Sequence, residues 1–178
     1  GMDTEERLNR FLGSDPRLGE GVFIHPGAFV IGDVELGDQV SVWPGAVVRA
    51  DINSIRIGPR TNIQDGTVIH LADNHGVEIG ANCTIGHGAI IHACRIGNEC
   101  LIGMRATILD GAEIGPQSIV GAGALVTGGT VIPPRSLVLG VPAKIKRELE
   151  PEEAERIRGW ADKYVTVSNA HRDKLENG

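Results

Sequence analysis

The sequence predicts an all-β solenoid: a parallel β-helix of about six triangular coils followed by a C-terminal α-helix. Three observations point to it. Branched aliphatic residues recur at every sixth position, a small residue stands four places after most of them, and 25 glycines accompany only two Trp, one Tyr and three Phe. Such a composition argues against a helix bundle and for turn-rich β structure.

The six-residue frame starts at Ile24 and runs through Val30, Leu36, Val42 and Val48. After a short interruption it returns at Ile57, Ile63 and Ile69, and after a second at Ile79, Ile85 and Ile91. With one residue dropped it continues from Ile96 through Ile102, Ile108, Ile114, Val120, Val126 and Ile132 to Val138. These are nineteen anchors in register. Four places on come small residues such as Ala46, Thr67, Cys83, Ala89, Cys100 and Ala106. One large and one small inward side chain per hexad fills a narrow tube whose walls are short strands. Glycine after the anchor, as at Gly58, Gly86 and Gly103, relieves the backbone near tight corners. Three hexads close a coil, so the frame makes about six coils, stacked at about 4.8 Å into a prism about 29 Å tall. The two interruptions are expected as loops at corners.

Past Val138 the frame dissolves through Gly140-Val141-Pro142-Ala143-Lys144. Pro151, Glu152 and Glu153 then open a helix of about five turns, with Ile157, Trp160, Ala161, Tyr164 and Val165 at helical spacing. Its apolar stripe is expected along a prism wall. The chain accordingly divides into an N-terminal extension (1–20), the β-helix (21–143) and a C-terminal linker with helix (144–178).

The 178 residues suit one domain. Cys83, Cys94 and Cys100 show no CxxC spacing and no even count, which fits a reducing compartment. No apolar run is long enough to span a bilayer and no signal-peptide pattern opens the chain, so a soluble, cytoplasmic protein without a membrane partner is expected. Gly1-Met2 reads as a tag-cleavage scar. A net charge of −6 without a basic run supplies no footprint for nucleic acid.

Chemistry is sought in the histidines. Anchors 48, 69 and 91 fall on one wall, and the residues just after them are Arg49, His70 and His92. His70 and His92 thus stand one coil apart, within reach of one metal ion. His87 follows Ile85 by two on another wall, beside Gln64, which follows Ile63. One chain cannot easily bring that wall round, but a neighbouring copy about a three-fold axis can. The expectation is a homotrimer with three interfacial sites, each built from His70, His92 and the His87 of an adjacent copy. Three neutral imidazoles with an open position suit a hydrolytic or hydrating zinc centre, and Fe²⁺ or Co²⁺ would accept the same ligands.

Four segments carry a family resemblance: Val48-Arg49-Ala50-Asp51, Asn62-Ile63-Gln64-Asp65-Gly66, Val68-Ile69-His70, and Ile85-Gly86-His87-Gly88-Ala89-Ile90-Ile91-His92. Together they resemble the γ-class carbonic anhydrases of the hexapeptide-repeat superfamily over about residues 21–165. The resemblance implies a left-handed β-helix, an exception to the usual crossover hand. It implies His70, His87 and His92 as metal ligands and Gln64 as the amide that orients substrate. Arg49, Asp51 and Asp65 match an ion-pair cluster at the subunit contact. Tyr164 is similar to a tyrosine that approaches the metal site.

The activity so implied is reversible hydration of CO2 to bicarbonate, the dication lowering the pKa of water to about 7. The acidic shuttle residues of the best-studied branch are missing here: Leu71-Ala72-Asp73-Asn74-His75-Gly76 and Ile52 stand in their places. His75 is the candidate substitute as proton shuttle. Competing readings are a hexapeptide acyltransferase using coenzyme A, an acyl-CoA thioesterase at the same site, and a catalytically weak, metal-stabilised trimeric scaffold.

Overall fold

The computed structural model describes residues 1–178. Short strands of mostly two or three residues wind into a left-handed parallel β-helix with three flat walls. Parallel strands in register lock the coils: Ile90 pairs with Val68, Ile91 with Ile69 and His92 with His70. All frame anchors are buried except Ile24 and Val30, which belong to the first coil and are half-buried. The small residues share the interior, with Ala46, Thr67, Cys83, Ala89, Cys100 and Ala106 all at 0% exposure.

The solenoid has about seven turns rather than six. Arg17 and Leu18 form a further rung, paired in parallel with Glu35 and Leu36. Leu18 is in phase with Ile24, but it lies at the open end and is exposed, so burial does not mark it as an anchor.

The walls differ in what they present outward. The histidine wall carries the rungs at Val30, Val48, Ile69, Ile91, Ile108 and Val126. The charged wall carries Leu18, Leu36, Ile57, Ile79, Ile96, Ile114 and Ile132. The helix wall carries Ile24, Val42, Ile63, Ile85, Ile102, Val120 and Val138. On the charged wall the residue before each anchor from Leu18 to Ile114 alternates in sign, Arg17, Glu35, Arg56, Glu78, Arg95, Glu113, and the run ends at Val131 before Ile132. Arg56 pairs with Glu35 at 3.4 Å, and Arg95 pairs with Glu78 at 2.9 Å and Glu113 at 3.5 Å.

Most corners turn by placing the third residue after an anchor in left-handed backbone. Between the charged and helix walls this residue is glycine only in the first coil, at Gly21 (φ 67°); Gln39, Arg60, Asn82, Glu99, Gln117 and Arg135 have φ between 54° and 65°. The first interruption is not a loop. Val47–Ile57 is one continuous strand that bends from the histidine wall into the charged wall, paired with Phe29–Leu36 across a register shift at Gly32/Val34. Gly32 (φ 82°) permits the bend, because a Cβ there would collide with the Ala50 carbonyl. The second interruption, Leu71–Gly76, does leave the sheet as a loop.

Helix α1 (Thr4–Phe11) packs its Phe11 beside the bent strand, and Arg7 donates to the Ile52 carbonyl. At the other end Lys144–Glu148 pairs antiparallel with Ser136–Leu139 and covers the last helix-wall edge. Helix α2 (Pro151–Asn177) is 27 residues, about seven and a half turns, longer than the apolar stripe alone suggests. It runs back along the helix wall, burying Ala154, Ile157, Ala161 and Ser168, with Trp43 edge-on to Tyr164 and His171. Arg172 donates to the carbonyls of Gly21 and Val22, so the second half of α2 is held by polar contacts that a hydrophobic pattern does not reveal. No helix is long and apolar enough to cross a membrane.

Candidate metal centre

The expected residues gather as two groups on two walls. On the histidine wall, His70 and His92 occupy neighbouring rungs with ring centroids 5.5 Å apart. Both are half-buried. Parallel pairing in register forces this closeness, because equivalent positions on adjacent coils repeat at the strand spacing. Each imidazole has a carboxylate on one ring nitrogen. Nε2 of His70 lies 2.9 Å from Oδ1 of Asp51, and Nδ1 of His92 lies 2.5 Å from Oδ1 of Asp110. Arg49 donates from its guanidinium to the other oxygen of Asp51. Burial pushes the Asp51 carboxyl up, but the hydrogen bonds from His70 and Arg49 outweigh it and leave the group below the usual carboxylate range.

The second group lies on the helix wall. His87 places Nδ1 3.0 Å from Oδ1 of Asp65 and is about half exposed. Gln64, 5% exposed, donates from Nε2 to Oδ1 of Asn62 at 3.0 Å, and Asn62 donates in turn to Thr84 Oγ1. Tyr164, from α2, lines the same groove as Gln64 and His87. Its hydroxyl is held protonated by burial first and by the nearby Asp65 charge second.

Within one chain no three potential ligands converge on a point. His70 and His92 are together; His87 faces away from them on a different wall. His75 sits in the exposed loop at the corner beside the histidine wall, in a cleft of about 400 Å³ shared with Glu78, Cys94, Arg95, Gly111 and Glu113. Cys83, Cys94 and Cys100 are free and buried, and burial pushes the Cys94 thiol up to about 12.

The donors suit a divalent metal. An imidazole whose second nitrogen is hydrogen-bonded to a carboxylate is the arrangement found at metal-ligating histidines, because the carboxylate fixes the tautomer and the ring plane. His70 and His92 both have it. Asp110 and Asn62 are hydrogen-bonded neighbours of His92 and Gln64 to which no role was assigned from sequence. Asn62 and Gln64 flank the inward Ile63, so strand alternation puts both on the outer face and was a signal for the pair. Asp110 lies one coil beyond His92, where a corner rather than a strand sets its direction, and the six-residue frame carries no mark of it.

Comparison with known proteins bears on this arrangement. The family model for the bacterial transferase hexapeptide matches residues 15–50 and 93–128, and that for the hexapeptide repeat of succinyl-transferase matches 54–93. The chain is 50% identical over 151 residues to a probable carbonic anhydrase of Methanocaldococcus jannaschii, covering 85% of this chain and 95% of that one. It is 38% identical over 176 residues to the mitochondrial gamma carbonic anhydrase 2 of Arabidopsis thaliana, covering 96% of this chain but 63% of the plant protein, so the chain spans a little under two thirds of that relative. Among solved structures it is similar to a putative acetyltransferase of Bacillus cereus, with a TM-score of 0.87 and 37% identity over 89% of this chain and 92% of that one.

Proposed function

We propose, since this chain belongs to the γ-class carbonic anhydrase family of hexapeptide-repeat proteins, that it catalyses the reversible hydration of CO2 to bicarbonate at a metal held by His70, His92 and the His87 of a neighbouring copy. One observation carries the reading: two imidazoles on adjacent rungs, 5.5 Å apart, each oriented by its own carboxylate. The trimer is favoured by the outward column on the histidine wall, namely Phe29, Val47, Val68, Ile90, Thr107 and Leu125. Phe29 is 59% and Ile90 37% exposed in the single chain, so this column offers apolar surface for a second copy.

Zinc fits the imidazole set, and iron or cobalt would also be accepted. When bound, the metal supplies Lewis acidity that lets water lose a proton near neutral pH. The chain's own residues do the rest. Asp51 and Asp110 hold the rings of His70 and His92, and Arg49 fixes Asp51. Gln64 commits one amide N–H to Asn62 and lines the groove, so its remaining amide atoms hydrogen-bond the attacking water and orient it. The Tyr164 hydroxyl stays protonated and donates to the developing bicarbonate. His75, exposed at the neighbouring corner, is the group that passes the released proton to buffer.

The test is metal analysis of freshly purified protein, paired with stopped-flow CO2 hydration on metal-loaded wild type and His92→Ala. Hydration by wild type is expected; the variant should lose metal and activity while its circular dichroism is unchanged, since position 92 points out of the core. Unfolding of the variant, or a metal-replete wild type without hydration, would overturn the reading. The likeness to a putative acetyltransferase favours acyl transfer as the second reading. It expects acetylated acceptor after incubation with acetyl-CoA, detected by mass spectrometry.

A further inference from the structure

The groove between α2 and the helix wall has a volume of about 310 Å³. That is roughly ten times the ~30 Å³ share of a liquid water, far more than a triatomic substrate requires. Its lining is sorted along the solenoid axis. Gln64 and His87 lie on the two lower coils, whereas Leu101, Met104 and Ala122 lie on the two above. Helix α2 runs the opposite way and sorts its residues to match. Tyr164 lies near Asp65 and Trp43, and Trp160, one turn earlier, covers the apolar end. Met104 and Trp160 stay 55% and 47% exposed, so this end is an open apolar arm rather than filled core.

We propose that this groove is a binding subsite for short unbranched carboxylates, with the head group at Gln64 and Tyr164 and the alkyl tail beside Met104, Ala122 and Trp160. The head-group half rests on the function proposed above: a carboxylate is bicarbonate with its hydroxyl replaced by a carbon chain. The Tyr164 hydroxyl and the Gln64 N–H not used by Asn62 can donate to the oxygens of either anion, and a bound dication would offset the charge of Asp65. The tail half rests only on the shape and lining of the groove.

Calorimetric titration of the metal-loaded oligomer with acetate, propionate, butyrate and hexanoate tests it, with acetamide to hexanamide as a neutral series. Affinity is expected to rise about four-fold per methylene, the equivalent of ~0.8 kcal/mol per buried CH₂, until the arm is full. Ala122→Leu, an exposed position that adds bulk at the far end, should flatten both series while acetate still binds. A flat wild-type series in both classes overturns the subsite, even if CO2 hydration is found. Amides that rise with chain length while no acid binds would keep the arm and count against the metal reading.

Discussion

At the scale of single residues, the site is an exercise in holding imidazoles still. Asp110 touches no substrate in this scheme; it orients His92 through one hydrogen bond. Partners of this kind typically contribute 10–100-fold to metal affinity. Asp110→Asn should therefore weaken metal binding by about that factor, measured by competition with a chelator, and leave the fold intact because Asp110 is exposed. A variant that binds metal as wild type does would show that the Asp110 hydrogen bond does not orient His92 for metal. The histidines were legible in the sequence because the hexad frame converts residue number into wall and height. Asp110 was not, since corner side chains take their direction from backbone turns that the frame does not encode.

At the scale of elements, the corners carry a small reserve of strain. Non-glycine residues in left-handed backbone cost roughly 1–2 kcal/mol each, and Gln117 at φ 59° is one of six along a single edge. Gln117→Gly should stabilise the protein by up to about 1 kcal/mol, read from the midpoint of denaturant unfolding, after the entropy of the added glycine is deducted. No change would mean that contacts of the Gln117 side chain compensate. Helix α2 offers a second test. The Arg147 guanidinium first, and the Glu150 N–H second, hold the Glu153 carboxyl down at about 2. A carboxyl depressed in the folded state contributes in full above its unfolded value and loses that contribution as pH falls through the folded one. Amides at the start of α2 should stay protected from hydrogen exchange at pH 3.5 and open toward pH 2, and a Glu153→Gln variant should already be open at pH 3.5. The position of α2 was readable from Ile157, Ala161 and their spacing. Its full length was not, because the last turns are anchored by Arg172 and His171 rather than by an apolar stripe. The bent strand Val47–Ile57 was hidden for a related reason: a corner crossed in extended backbone breaks the period of six without breaking the sheet.

At the scale of the whole molecule, the three walls divide the work. One is sheathed by α2, one presents paired charges, and one exposes an apolar column beside His70 and His92. Ile90→Asp should place an unpaired carboxylate in that column, so sedimentation velocity is expected to show dissociated, folded protomers that bind metal poorly. Trimers that persist in this variant would move the contact to another face. Handedness lay outside the hexad count, because a period of six is the same in either mirror image.

The charged wall adds a rule of parity. Deleting any one coil from its middle would set arginine above arginine or glutamate above glutamate, whereas deleting two adjacent coils restores the order, leaving Glu35 next to Arg95 if the rungs of Arg56 and Glu78 are removed. Neighbouring like charges oppose strand pairing. Shortening or lengthening this rod is therefore tolerated in even steps and penalised in odd ones, a checksum on its own length written in side-chain sign.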